Sequence, residues 1–444
     1  MQILSRSHAV LALVCLLAVA FATLPLAAVA QTSAGTVLFT RTVNGMVDGF
    51  STPVSSAIFS IGDDGLHERQ LTPYAQGEFN IPSVAGYDDL DVGNEGIWIT
   101  NAFNPAGTYS VFVPAQSALP HYQDSAYHGK YVLINAYGER TSPMFYGPDD
   151  LESPSKGPGY GSVSWGPAGN DQIAYANVPD NQFGRHPACV RLMNSNGSNN
   201  HTLWCADRWN YCAVEAIRWS GDGSSLLVYA VHADHNFSNE ADIYLINATT
   251  GAATLVEANI MEPNAGWGVG DISYDGHEVI YGVVYDTHDP GPCNVPNNNT
   301  GVFVVWCAKN MRTGQEVALT DPSHTVTFGF QGQALISPDG SQAFLFANTA
   351  PSGSNPNAEI YAVKTDGSGV RKITSPCIPM DADTSLWWRP VRVSPDGTRM
   401  LANCHAEHYP PSPIVYTNKV MVVSLADGNA SFVTNGTAYD WHAQ

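Results

Sequence analysis

Two phrases in this chain place imidazoles and a carboxylate within four residues of one another, His232-Ala233-Asp234-His235 and His405-Ala406-Glu407-His408. A third, Asp286-Thr287-His288-Asp289, falls between them. Neutral imidazole and carboxylate bind borderline divalent cations, and imidazole moves protons near neutral pH. The spacing is not the His-Glu-x-x-His of a helical zinc site, so a shared centre requires separate segments to converge. On that condition His232, His235, His288, His405 and His408 are the candidate ligands of a divalent metal ion, the one cofactor these residue types suggest. The competing reading makes them solvated loop residues or caps on strand ends.

A second set is aromatic. Trp209, Tyr211, Trp267, Trp387 and Trp388 fall in stretches that read as loops, as do Phe328 and Phe330, and flat rings there would stack on a sugar or a peptide. Packing between neighbouring elements accounts for them equally well. Other chemistry lacks its motif. No Gly-x-Ser-x-Gly elbow occurs, since Gly157 to Ser162 has glycines without the required serine between them, and no Gly-x-x-x-x-Gly-Lys-Ser/Thr phosphate loop is present. A non-catalytic binding protein is therefore favoured over an enzyme.

The elements that must position these groups come from a repeat. Ser337-Pro338-Asp339-Gly340 precedes the apolar run 343–347, and Ser394-Pro395-Asp396-Gly397 precedes 400–403; Ser220-Gly221-Asp222-Gly223 and Ser273-Tyr274-Asp275-Gly276 are further copies. Weaker copies begin at Trp165 and Asp91. Each unit runs on through a second alternating segment to another turn, as in Glu359 to Val363 followed by Thr365-Asp366-Gly367. Asp-Gly supplies the positive φ of a tight hairpin, and recurrence at this period means one four-stranded antiparallel meander used many times. The expected fold is all-β, a single β-propeller. Seven units fit, at 36–73, 79–148, 159–205, 214–258, 268–321, 331–375 and 389–434, with six or eight also compatible. Ala438-Tyr439-Asp440-Trp441 matches the strand before the turn in other units, as in Ile217-Arg218-Trp219 and Val163-Ser164-Trp165. It is the piece the first unit lacks, so the C-terminal strand is expected to complete the first blade and close the ring. Trp165, Trp219 and Trp441 are then core. The serine turns occupy a structural rim, and the histidine and tryptophan segments lie on the opposite one, where binding is expected.

Ser-Pro-Asp-Gly, an apolar strand, Ile360-Tyr361-Ala362-Val363, Asp366-Gly367 and Ile373-Thr374 together resemble the TolB-type, WD40-like propeller repeat. The resemblance covers nearly all of the chain after the leader, most sharply from Glu215 onward. It implies a propeller over residues 31–444 that works as an interaction scaffold, binding a protein, a peptide or a carbohydrate on the rim of irregular loops. Oligogalacturonate lyases are similar single-domain propellers whose histidines hold a divalent metal, so a metal-assisted polysaccharide lyase is the alternative.

Residues 1–30 read as a signal peptide: Arg6, an apolar stretch from Ala9 to Phe21, and Ala28-Val29-Ala30 before the cleavage point. A secreted or periplasmic protein is expected, with no membrane span. Removing the leader takes the formal net charge from −21 to −22. That balance disfavours nucleic acid, which demands clustered Lys and Arg. Seven cysteines remain. Export makes disulfides the default, with Cys293–Cys307 and Cys377–Cys404 the plausible local pairs and one thiol left over from Cys189, Cys205 and Cys212. Sequons at Asn196, Asn200, Asn236, Asn247, Asn298, Asn429 and Asn435 matter only in a eukaryotic secretory pathway.

Overall fold

The computed structural model describes residues 35–47, 50–71, 75–76, 98–101, 109–112, 131–135, 140–145, 162–167, 171–177, 189–207, 211–232, 240–261, 270–285, 293, 303–319, 327–328, 334–348, 357–379, 384–408 and 415–443. Residues 1–30, which read as a signal peptide, lie outside them. Among the described residues the regular structure is strand, and no helix is long and apolar enough to cross a membrane.

The serine turn shows why its residue types recur. Ser337 Oγ donates to Asp339 Oδ1 at 2.6 Å, the Ser341 N–H donates to the same oxygen at 3.1 Å, and the Gln342 N–H donates back to Ser337 Oγ at 2.9 Å. The same serine-to-aspartate bond forms at Ser220 (2.7 Å), Ser273 (2.8 Å) and Ser394 (2.6 Å). Serine thus joins both limbs of the hairpin while aspartate satisfies its tip, an Asx-type arrangement that neither residue makes alone. Gly340 and Gly397 sit at φ 72° and 69°, which a side chain disfavours.

From each turn the chain enters a strand covered on both faces. Leu226 to Val231 are all buried, as are Ala343 to Ala347, so these strands read as continuous apolar runs. The third, fourth and fifth sheets follow as four antiparallel strands each, beginning at Ser162–Trp165, Tyr211–Trp219 and Asp271–Ile272. The sixth and seventh units, from Leu335–Ile336 and Thr384–Val393, are joined by a short parallel pairing, Asn357 with Leu386 and Ala358 with Trp387. The second unit is the degenerate one. Tyr109–Phe112, Tyr131–Asn135 and Arg140–Phe145 make three antiparallel strands, while Trp98–Asn101 runs parallel to Ser162–Trp165 of the third sheet.

The first sheet is built from both ends of the described chain. Thr437–His442 lies antiparallel to Thr36–Val47, pairing Val37 with Trp441 and Leu38 with Asp440, and so stands as the inner strand the first unit lacks. Asn403 of the seventh sheet ties it in place: its side chain accepts from the Ala438 N–H at 2.8 Å and donates to the Ala438 carbonyl at 2.7 Å.

The core is not one interior but a series of seams between adjacent sheets. Tyr229, Val231 and Ile243 of the fourth sheet pack with Val279, Tyr281 and Val305 of the fifth; Ile280 and Trp306 of the fifth pack with Leu345 and Val363 of the sixth. Such radial packing of four-stranded antiparallel meanders is the β-propeller architecture. Cys189–Cys205, Cys293–Cys307 and Cys377–Cys404 are disulfide-bonded, which makes Cys212 the remaining member of its trio.

Candidate functional site

Six sheets end their inner strand in the same step before the turn: Val163-Ser164-Trp165, Ile217-Arg218-Trp219, Gly270-Asp271-Ile272, Ala334-Leu335-Ile336, Val391-Arg392-Val393 and Tyr439-Asp440-Trp441. The middle position of four of them carries a charge of alternating sign, Arg218, Asp271, Arg392 and Asp440. All four line one cavity of about 460 Å³, together with Leu335, His442 and the turn residues Gly221, Tyr274, Pro338 and Pro395. The cavity therefore lies at the serine-turn end of the strands. That rim was expected to be structural only.

Burial and mutual pairing shape its electrostatics. Arg392 Nε lies 2.6 Å from Asp440 Oδ1, an ion pair between the seventh and first sheets. The Trp441 N–H donates to the same Asp440 oxygen at 2.8 Å. Asp271 Oδ2 accepts the Ile336 N–H at 3.0 Å, across from the fifth sheet to the sixth. Removal from water pushes the Asp271 carboxyl above the usual carboxylate range, with Arg218 pulling it back. The same removal lowers the Arg218 guanidinium, which is 6% exposed, against the opposing field of Asp271. His442 is lowered by burial too, with Asp440 opposing. Arg392 is thus paired with Asp440, and Arg218 lies in the field of Asp271, the two members of each couple coming from different sheets.

Tyr274 is the exception on this rim. It takes the second position of its turn, where the neighbouring copies have Gly221, Pro338 and Pro395, and it is 57% exposed. A Cβ at Gly221 would stand 2.3 Å from the Tyr274 ring, so the glycine of the fourth sheet makes room for the tyrosine of the fifth. The backbone is fixed on both sides: the Asp222 N–H donates to the Tyr274 carbonyl at 2.8 Å, and the Tyr274 N–H donates to the Pro338 carbonyl at 3.2 Å.

The histidines are distributed differently. His232 ends the strand Ser225–His232, and its Nε2 lies 3.0 Å from Asp242 Oδ1 in the next strand of the same sheet. His405 and His408 lie within the strand Arg399–His408 rather than in a loop. His405 Nδ1 is bonded to Asn418 Oδ1 and its Nε2 lies 3.3 Å from Glu407, while His408 Nδ1 lies 3.3 Å from Thr384 Oγ1. His235 and His288 lie outside the described residues. Among the described residues, the group of three close enough to hold an ion is Cys293, Cys307 and Glu316, and its two sulfurs are joined to each other. Among the described residues, His232, His405 and His408 do not fall in a group of three donors within 4.8 Å of one another.

The aromatic set also needs correction. Trp387 and Trp388 belong to the strand Thr384–Val393, so successive rings point to opposite faces. Trp388 is fully buried, with its indole N–H donating to the Ser375 carbonyl at 3.1 Å, and is core rather than ligand-binding surface. Trp387 is half-buried against the His405 ring, centroids 5.3 Å apart. Tyr211 opens the strand Tyr211–Trp219, and Trp209 and Trp267 lie outside the described residues.

No protein-family model matches the chain, and no curated protein matches it. Among solved structures it is similar to a protein assigned as TolB from Agrobacterium tumefaciens, at 16% identity, 63% of this chain, 83% of that one and a TM-score of 0.37. It is similar to an oligogalacturonate lyase from Vibrio parahaemolyticus, at 10% identity, 91% and 86% coverage and a TM-score of 0.48. The β-propeller domain of the Trilobed protease from Pyrococcus furiosus gives 9% identity, 89% and 94% coverage and a TM-score of 0.48.

Proposed function

We propose that this chain is an exported, non-catalytic binding propeller that holds its ligand in the cavity at the serine-turn end of the inner strands. The observation that supports this reading is the column Arg218, Asp271, Arg392 and Asp440, in which four sheets deliver hydrogen-bonding groups to one cavity. Charged groups taken out of water are costly unless paired, and replacing them with apolar residues of similar size is often neutral or favourable. Six equivalent positions that carry four charges and only one leucine therefore suggest a polar surface kept for recognition. A cavity of this size falls within the roughly 300–1,000 Å³ of small-ligand sites.

The test is a thermal-shift screen of the mature protein against short peptides and oligosaccharides, followed by titration of each hit. Asp271→Asn should weaken a genuine ligand about tenfold or more, the scale of one lost charge-assisted hydrogen bond, while His405→Ala leaves it unchanged. Hits weakened by His405→Ala and indifferent to Asp271→Asn would move the site to the opposite rim and overturn the reading.

A further inference from the structure

Resting on that reading, we infer that the ligand is a neutral saccharide, one ring of which stacks on Tyr274 while its hydroxyls bond to the charged column. The first support is the contrast among the aromatic groups around the cavity. Trp165, Trp219 and Trp441 are buried, at 1%, 5% and 2% exposure, whereas Tyr274 stands 57% exposed at the edge. Its backbone is held by the turns on either side and its ring lies against Gly221, so little freedom is lost when a ligand docks on the open face. The C–H face of a pyranose is the flat, weakly apolar surface that such a ring accepts.

The second support is charge balance. Two guanidinium groups alternate with two carboxylates, so the cavity offers no net charge to an ion. An anionic sugar would meet Asp271 and Asp440, and a cation would meet Arg218 and Arg392. The formal net charge of −21 turns a polyanion away at longer range as well. Hydroxyls donate and accept at once, and neighbouring hydroxyls on a ring match the paired oxygens of a carboxylate or the paired N–H groups of a guanidinium. A balanced column suits them.

The third support is what the rim lacks for a peptide. An extended peptide is recognised largely through free main-chain donors and acceptors on a strand edge. Here the turn N–H groups are already used: Gly223 donates to Ser220, Gly276 to Ser273, Gly340 to Ser337 and Gly397 to Ser394, and Asp222 and Tyr274 bond to the next turns. Side chains, not backbone, face the ligand.

The experiment is calorimetric titration of the mature protein with neutral oligosaccharides of glucose, galactose, mannose and xylose, with oligogalacturonate, and with pentapeptides of mixed charge. The expected result is binding of at least one neutral oligosaccharide. Tyr274→Ala should weaken it tenfold or more, Tyr274→Phe should restore it to within about threefold, and the melting temperature should stay the same in both variants, since the side chain is exposed. A preference for oligogalacturonate, or neutral binding indifferent to Tyr274→Ala, overturns the inference. Binding of peptides alone, lost in Asp271→Asn, also overturns it while leaving the cavity as the binding site. The absence of any ligand sensitive to Asp271→Asn or Tyr274→Ala defeats the inference and the proposed function together.

Discussion

The serine-turn end of the sheets and the histidine end differ in how far their polar contacts reach. At the turn end, the same hydrogen bonds recur in four sheets, and the column they support crosses between sheets: Arg392 to Asp440, Asp271 to the Ile336 N–H, Tyr274 to Asp222 and Pro338. At the other end each described histidine finds its partner at home, His232 on Asp242, His405 on Asn418 and Glu407, His408 on Thr384. Convergence of distant residues requires that equivalent positions be held at equivalent heights. Strict repetition provides that, so the regular rim gathers a charged column from several sheets, while His232, His405 and His408 bond within their own sheets.

The largest effect should come from breaking the seam that supports the column. Trp441 is 2% exposed, lines the cavity and carries Arg399 above its ring at 5.1 Å, and Arg399 in turn reaches Asp63 at 3.1 Å. Trp441→Ala should cost about 3–5 kcal/mol, the scale of a large aromatic removed from a packed core. Trp387→Ala at the other end, half-buried against His405, should cost less than half as much. Urea unfolding of the two variants reads the difference directly, and equal losses would erase the distinction between the two ends.

A smaller contrast separates the histidines themselves. Asp242 is 7% exposed and His232 is its partner at 3.0 Å, so His232→Ala leaves a buried carboxylate short of a bond, at a cost of about 1–3 kcal/mol. Asn418, bonded to His405, is exposed and water replaces the imidazole, so His405→Ala should stay within about 0.5 kcal/mol. Elemental analysis of both variants should show the metal content of the parent protein. A loss of bound divalent metal in either one would return the histidines to the role their residue types first suggested.

Much of this was legible in the residues because the turn chemistry is local. Ser-x-Asp-Gly specifies its own hydrogen bonds, and the apolar run after it follows from burial on both faces, so sheets three to seven and the terminal strand could be read directly. The close pairs Cys293–Cys307 and Cys377–Cys404 were readable for the same reason. The second unit was not, since its first strand runs parallel to Ser162–Trp165 instead of joining its own meander. Trp387 and Trp388 read as loop residues ahead of the unit at 389–434, because Pro390 and the adjacent tryptophans mask the alternation; the strand in fact starts at Thr384 and carries a register shift between Pro390 and Arg392. The charged column was present in the aligned repeats, one residue before Trp165, Trp219, Ile272, Ile336, Val393 and Trp441. It is hard to see along the chain because its charges alternate in sign and stand about 50 to 120 residues apart, whereas the histidines cluster within four. Clustering along the chain is a poor guide when the scaffold itself brings distant positions together.

The finest distinction between the two ends is their response to acid. The Ser337 hydroxyl holds the Asp339 carboxyl below its usual range, and the Ser394 hydroxyl does the same for Asp396, with the Ser341 and Thr398 N–H groups adding to each. A carboxyl depressed in the folded state contributes stability that is present above its unfolded pKa, near 4, and is lost as pH falls through the lower folded value. The Ser337→Ala, Ser394→Ala double variant should therefore melt below the parent protein at pH 7, and the gap should narrow below about pH 4 as the parent loses the same bonds to protonation. It should not vanish, since Ser337 Oγ also accepts the Gln342 N–H and Ser394 Oγ the Arg399 N–H, bonds that acid does not break. A gap that stays constant from pH 7 to pH 2 would mean that the serines act as hairpin links alone, with the aspartates held by backbone N–H groups.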